Sequence, residues 1–228
     1  MKVMILAAGF GKRMLPLTVT TPKPLLKAGE HSLLEWQIIK LAAAGFRDLV
    51  INLHHLGEQI PAALGDGERW DVSITYSHED ELLETAGGII KALPLLGDEP
   101  FLIVNGDVWT DYDFSRLGTA LRPDRLAHLV LVPNAEHNPQ GDFHLNEQGL
   151  LVNNNEPRLT YSGISVLHPH LFSGRAVQRL ALGPLLREAV DKGLVSGELF
   201  SGDWQDIGSP QRLEALECRL LNRAAAVK

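Results

Sequence analysis

A single α/β domain is predicted by three features of the sequence. Strand-like and helix-like segments alternate along the whole chain. The apolar runs at residues 3–7 and 101–105 each end in a glycine-bearing turn, and the carboxyl ends of strands are where open α/β sheets bind ligands. With 228 residues, 45% of them hydrophobic, and a mean hydropathy near zero, the chain can build one complete core. No segment approaches the roughly 20 apolar residues of a membrane span.

The first strand, residues 3–7, runs into LAAGFGKRMLPLTVTTPKPL, residues 6–25. Ala8, Gly9 and Gly11 let the backbone turn tightly with its N–H groups inward, and such a nest attracts anions. Lys12, Arg13 and Lys23 add three cations, while Pro16, Pro22 and Pro24 stiffen the segment. A triphosphate suits this loop. A dinucleotide fingerprint would need a third glycine where Met14 stands, and a Walker A loop would need Gly-Lys-Ser/Thr after four spacers.

A helix is expected over residues 33–44, where Leu34, Ile38 and Leu41 recur at helical spacing and Gly45 supplies the stop. Residues 49–53 form the next strand. His54 and His55 follow it as loop residues, because adjacent histidines face different ways and lack a carboxylate at metal-ligand spacing. A helix at 58–64 leads through Gly65-Asp66-Gly67 to a strand at 72–76. Residues 83–88, LETAGG, open another helix whose small residues permit close backbone approach. The strand at 101–105 ends in Gly106-Asp107, which places a carboxylate at the ligand edge.

The second half continues with a helix at 114–121 and strands at 129–132 and 161–167, the last two separated by a polar, glycine-bearing stretch. Gly183-Pro184 starts a helix through Lys192, with proline tolerated in its first turn. A strand at 195–200 precedes Trp204 and Asp206. Ser209-Pro210 opens the last helix, where Leu213, Leu216, Leu220 and Leu221 suit one buried face, and its alanine-rich tail to Lys228 is expected to fray. There are no internal repeats.

A formal net charge of −7 argues against nonspecific nucleic-acid binding and leaves small anions as the partners of the basic loop. The single cysteine, Cys218, forms no internal disulfide, and no signal-peptide pattern opens the chain, so a cytoplasmic, membrane-free setting is expected.

The loop LAAGFGKRMLPLTVTTPKPL resembles the N-terminal signature of the sugar-1-phosphate nucleotidyltransferases, and Asn105-Gly106-Asp107 and Trp204-Gln205-Asp206-Ile207-Gly208-Ser209-Pro210 resemble their two acidic metal motifs in order. The resemblance implies a single Rossmann-like domain with a mixed, mainly parallel central sheet flanked by helices and a small β-rich sugar-binding part, residues 1–110 serving mainly the nucleotide and 111–228 mainly the sugar phosphate. It implies catalytic roles for Arg13, Lys23, Asp107 and Asp206, with Mg²⁺ held by Asp107 and Asp206. Nucleotide contacts fall on Ala8, Gly9, Gly11, Lys12, Arg13, Lys23, Glu79, Thr85, Gly87 and Gly88. Sugar-phosphate contacts fall on Asn105, Gln140, Gly141, Asn154 and Glu156. Two departures stand out: Glu84 where the family commonly has glycine, and Asn155-Glu156-Pro157 where it often has Glu-Lys-Pro.

Within the family, LLETAGG and the short length resemble the compact bacterial members of cell-wall recycling, which implies UTP and N-acetylmuramic acid 1-phosphate as substrates. Arg158 and Arg187 are the candidate partners for that sugar's carboxylate, and a monomer or weak dimer is expected. The alternatives are a mannose- or heptose-1-phosphate guanylyltransferase, or a nucleotide-sensing module without turnover. A small oxidoreductase is disfavoured by Met14, which breaks the dinucleotide fingerprint.

Overall fold

The apolar runs become seven strands of one sheet: β1 (Val3–Leu6), β2 (Asp48–Leu53), β3 (Ser73–His78), β4 (Phe101–Asn105), β5 (Ala127–Val132), β6 (Thr160–Leu167) and β7 (Val195–Leu199), ordered β3-β2-β1-β4-β6-β5-β7. The computed structural model describes residues 1–226, and the frayed end expected at Lys228 lies outside them. Every neighbouring pair is parallel except those of β6, which runs antiparallel to both β4 and β5. The sheet is therefore mixed and mostly parallel, as the family resemblance implies.

Helices α1 (Leu33–Ala43), α2 (Gln59–Leu64), α3 (Glu84–Leu96), α4 (Leu182–Asp191) and α5 (Pro210–Ala226) complete the layers. Successive side chains of a strand point to opposite faces. Val3 and Ile5 thus join Leu34, Ile38, Leu41 and Ile60 of α1 and α2, whereas Met4 joins Ile89, Leu185 and Leu186 of α3 and α4. Helix α1 starts at Ser32, whose hydroxyl accepts from the Glu35 N–H while the Glu35 carboxylate accepts from the Ser32 N–H. Reciprocal caps of this kind hold a helix end by about 1 kcal/mol.

A smaller cluster ties the signature loop to the C-terminal part of the chain. Met14, in the place where a dinucleotide loop would carry glycine, is fully buried with Leu33, Trp109, Ile207, Leu213 and Leu216. It anchors the basic loop to α5.

Leu221, expected on the buried face of α5, is exposed instead, because it follows Leu220 by one residue and so turns off the stripe of Leu213 and Leu216. One element also changes type. Residues 114–121 do not form an α-helix but a 3-10 stretch, Phe114–Thr119. The Asp113 carboxylate accepts from the Ser115 N–H, and Gly118 sits near the end, so one tight turn forms and lengthening it gains little. At the far side of the sheet, His128 bonds Ser196 through Nδ1 at 3.0 Å, and burial holds its pKa below the ordinary value. It serves as neutral internal packing.

Candidate active site

The two acidic motifs meet through a short ribbon whose pairing joins residues far apart in sequence. Val108–Thr110, immediately after Asp107, pairs antiparallel with Trp204–Asp206 so that Asp206 lies opposite Val108, and the Ile207 N–H donates to the Asp107 carbonyl at 2.9 Å. The ribbon is buttressed from both sides. Gln37 and Lys40 of α1 donate to the Val108 and Thr110 carbonyls, and Trp109 lies between the cationic ends of Lys40 and Arg219. On the other strand, the Trp204 indole N–H donates to the Ser162 carbonyl at 2.9 Å, which fastens the ribbon to β6.

Two cavities open on either side of Asp107. The first, of about 360 Å³, is lined by Ala7, Ala8, Gly9, Lys23, Asn52, Glu79, Glu84, Thr85 and Ala181. The second, of about 330 Å³, is lined by Arg13, His137, Asn138, Tyr161, Trp204 and Asp206. Asn105 and Asp107 belong to both walls. A nucleotide in one cavity and a sugar phosphate in the other would meet at Asp107.

The charges are arranged around the two carboxylates. Lys23 Nζ lies 2.5 Å from Asp107 Oδ2, with the lysine only 11% exposed. Asp206 Oδ2 is approached by Arg212 at 3.3 Å, His137 at 3.4 Å and Arg13 at 3.9 Å. Among the described residues no group of three or more His, Cys, Asp or Glu side chains forms a metal cage. Two carboxylates on one cavity suit a hard cation that takes its remaining ligands from phosphates and water.

Behind the first cavity lies a buried polar chain that the sequence did not disclose. Asn52, at the end of β2, accepts from the Ala7 N–H at 2.7 Å and donates to Glu79 at 2.7 Å, and Glu79 accepts from the Leu83 N–H at 3.1 Å. This chain fixes the start of the phosphate loop. A polar residue inside the apolar run LVINL was the sequence signal for Asn52.

The glycines of LETAGG make room for protein. The Ala86 and Gly87 N–H groups both donate to the Leu180 carbonyl, so the strap through residues 178–181 occupies the start of α3. A Cβ at Gly87 would overlap the Gln178 carbonyl, and one at Gly88 would lie 2.5 Å from the Glu79 carboxylate. Gly87→Ala should therefore destabilise the protein by about 1–3 kcal/mol through overpacking against backbone. Thermal denaturation checks this, and an unchanged midpoint would refute the tight fit. Glu84, where glycine is common in the family, has φ +58° in the left-handed region, and Arg179 holds its carboxylate at 2.7 Å.

The remaining expected contacts divide clearly. Lys12 extends over the Phe10 ring, and Lys12, Gly11, Gly87 and Gly88 do not line the first cavity. Arg13, grouped by sequence with the nucleotide, lines the second cavity and not the first. Gln140 is exposed, and Gly141, at φ +63°, packs against the Arg158 backbone, so the turn supports the wall through Asn138 and Asp142 rather than lining it. Asn154 and Glu156 are also outside the cavity. Glu156 is exposed and engaged with Arg158 at 2.9 Å, so that arginine is committed too. His137 and Asn138, which sequence reasoning missed, reach the site because β6 folds back against β5.

The model of the nucleotidyl transferase family matches residues 2–152 of the chain. This chain belongs to that family. Its relative from Neisseria meningitidis serogroup B, an N-acetylmuramate alpha-1-phosphate uridylyltransferase, is 48% identical over 94% of this chain and 96% of its own length. A Caulobacter vibrioides protein of the same name is 31% identical over 95% of this chain and 96% of its own. An Aspergillus fumigatus mannose-1-phosphate guanyltransferase is 32% identical over 99% of this chain but only 65% of its own length. A putative glucose-1-phosphate thymidylyltransferase from Bacillus anthracis, crystallised with sucrose, superposes with a TM-score of 0.80 over 95% of this nucleotidyltransferase and 94% of that chain, at 21% identity. It shares the fold.

Proposed function

We propose that this nucleotidyltransferase joins UTP to N-acetylmuramic acid 1-phosphate, forming UDP-N-acetylmuramic acid and pyrophosphate. The observation that carries the substrate pair is the 48% identity to the Neisseria uridylyltransferase over nearly the full length of both chains. The geometry supplies the means. A triphosphate in the cavity of Ala8, Gly9 and Lys23 and a sugar phosphate in the cavity of Arg13, Asn138 and Asp206 bring their phosphates together at Asp107.

An oxygen of the sugar phosphate attacks the α-phosphorus in line. The bond from that phosphorus to the oxygen bridging to the β-phosphate breaks, and the electron pair leaves with pyrophosphate. Two polyanions repel each other, so charge neutralisation and alignment are the main tasks. Lys23 places a fixed cation beside Asp107 on the triphosphate side, and Arg13 places one on the sugar side. Asp107 and Asp206, two oxygen donors on one wall, fit Mg²⁺, which when bound supplies charge neutralisation between the two phosphates. The substrate supplies its own nucleophile, and no side chain is asked to act as a base.

Among the described residues no helix is long and apolar enough to cross a membrane. The cytoplasm, where nucleoside triphosphates are held, is the proposed setting. A competition at equal concentrations of N-acetylmuramic acid 1-phosphate, N-acetylglucosamine 1-phosphate and mannose 1-phosphate, each with UTP or GTP, tests the substrate pair. UDP-N-acetylmuramic acid should dominate. Dominant GDP-mannose would instead favour the activity named for the fungal relatives.

A further inference from the structure

The substrate assigned above carries two anionic groups, the 1-phosphate and the carboxylate of the lactyl ether at the 3-position. The first belongs beside Asp107. The sequence offered Arg158 and Arg187 for the second, but Arg158 is paired with Glu156, while Arg187 lies over the Phe143 ring and donates to the Asp142 carbonyl. Neither lines a cavity next to the sugar.

A third cavity, of about 370 Å³, opens on the α5 side of Asp206 and shares His137, Trp204 and Asp206 with the sugar cavity. The two cavities adjoin at these three residues, so a sugar bound against them lies next to the third cavity. Arg212 lines the third cavity. Only its NH1 group is engaged among the described residues, with the Asp206 carbonyl at 3.1 Å and carboxylate at 3.3 Å. A guanidinium carries five N–H donors, so most of this one's capacity is unspent. With Arg13 also drawn to Asp206, two guanidinium groups share one carboxylate. Glu136, the other acidic residue of the wall, is exposed and makes no ion pair among the described residues. Ala215 of α5 adds a small, exposed side chain to the lining.

We propose that this third cavity receives the lactyl carboxylate and that Arg212 is the residue by which the enzyme distinguishes N-acetylmuramic acid 1-phosphate from N-acetylglucosamine 1-phosphate. The assignment rests on the substrate reading given above. A planar fork matched to a carboxylate favours the sugar that carries one, and the sugar lacking it leaves the fork without its anion.

The test measures kcat/KM with UTP for the two sugar phosphates in the wild-type enzyme, Arg212→Gln and Ala215→Phe. Arg212→Gln should reduce the preference for the N-acetylmuramic substrate by about 10- to 100-fold, the loss expected for a hydrogen bond to a charged group. Ala215→Phe, which leaves Arg212 itself in place while adding bulk to the lining, should reduce the same ratio, mainly through KM. Equal losses on both sugars in Arg212→Gln, together with an unchanged ratio in Ala215→Phe, would show that Arg212 merely steadies Asp206 and would overturn the proposal. Wild-type enzyme that fails to favour the N-acetylmuramic substrate at all would overturn the substrate reading instead, before any variant is compared.

Discussion

Asp107→Asn is expected to lower turnover by about 10²-fold or more while the protein stays folded. The amide keeps the volume of the carboxylate, and its oxygen can still accept from Lys23, so the local packing survives. What disappears is the negative charge at the one acidic position common to both substrate cavities. Asp206→Asn should have a similar effect for a related reason. It would leave Arg13, His137 and Arg212 gathered around a neutral amide, with nothing to hold a cation opposite Asp107. Circular dichroism would establish that each variant is folded, and steady-state pyrophosphate release would establish its rate. Near-wild-type turnover of either folded variant at limiting Mg²⁺ would remove that aspartate from the reaction.

Lys23→Ala should cost about as much, with the loss confined to the triphosphate side. Lys23 lines the nucleotide cavity and not the sugar cavity, whereas Arg13 lines the sugar cavity and not the other. The two cations read together from the signature loop are therefore expected to separate kinetically. Lys23→Ala should lower kcat/KM for UTP by roughly 10²-fold through lost charge stabilisation, while Arg13→Ala should act more on the sugar phosphate. Stability should change little in the lysine variant, because the Asp107 it leaves behind is 29% exposed and reached by solvent. Varying one substrate at a time decides the matter. Equal losses on both substrates in both variants would mean that the cavities do not act as separate sites.

The parts of this fold that were legible in the sequence are those governed by local pattern. β4 was read as residues 101–105 and is Phe101–Asn105, because a fully apolar run closed by Asn-Gly-Asp leaves little freedom in its ends. The α/β class followed from the alternation of segments, whereas the reversed strand β6 was implied only by the family resemblance. The ribbon that joins the acidic motifs was not legible, since three-residue strands carry no periodicity and their partners lie in opposite halves of the chain. The same limit hid His137, Asn138 and Asn52, which matter through what they touch. Glu84 shows the converse. Its departure from the family was visible in sequence, but its left-handed backbone and its Arg179 partner emerged only in three dimensions.

The reversal of β6 also bears on how the protein is made. β1 to β4 and helices α1 to α3 are complete within the first 105 residues, and a ribosome delivers them first. Until residues 160–167 emerge, however, the outer edge of β4 has no neighbour, and β5 has no strand to link it to the rest. A nascent chain halted in that interval presents a fully apolar strand with an open row of backbone donors and acceptors, a template for pairing with another copy. Truncation before β6 should therefore yield aggregates, and a monodisperse fragment in sedimentation would refute this.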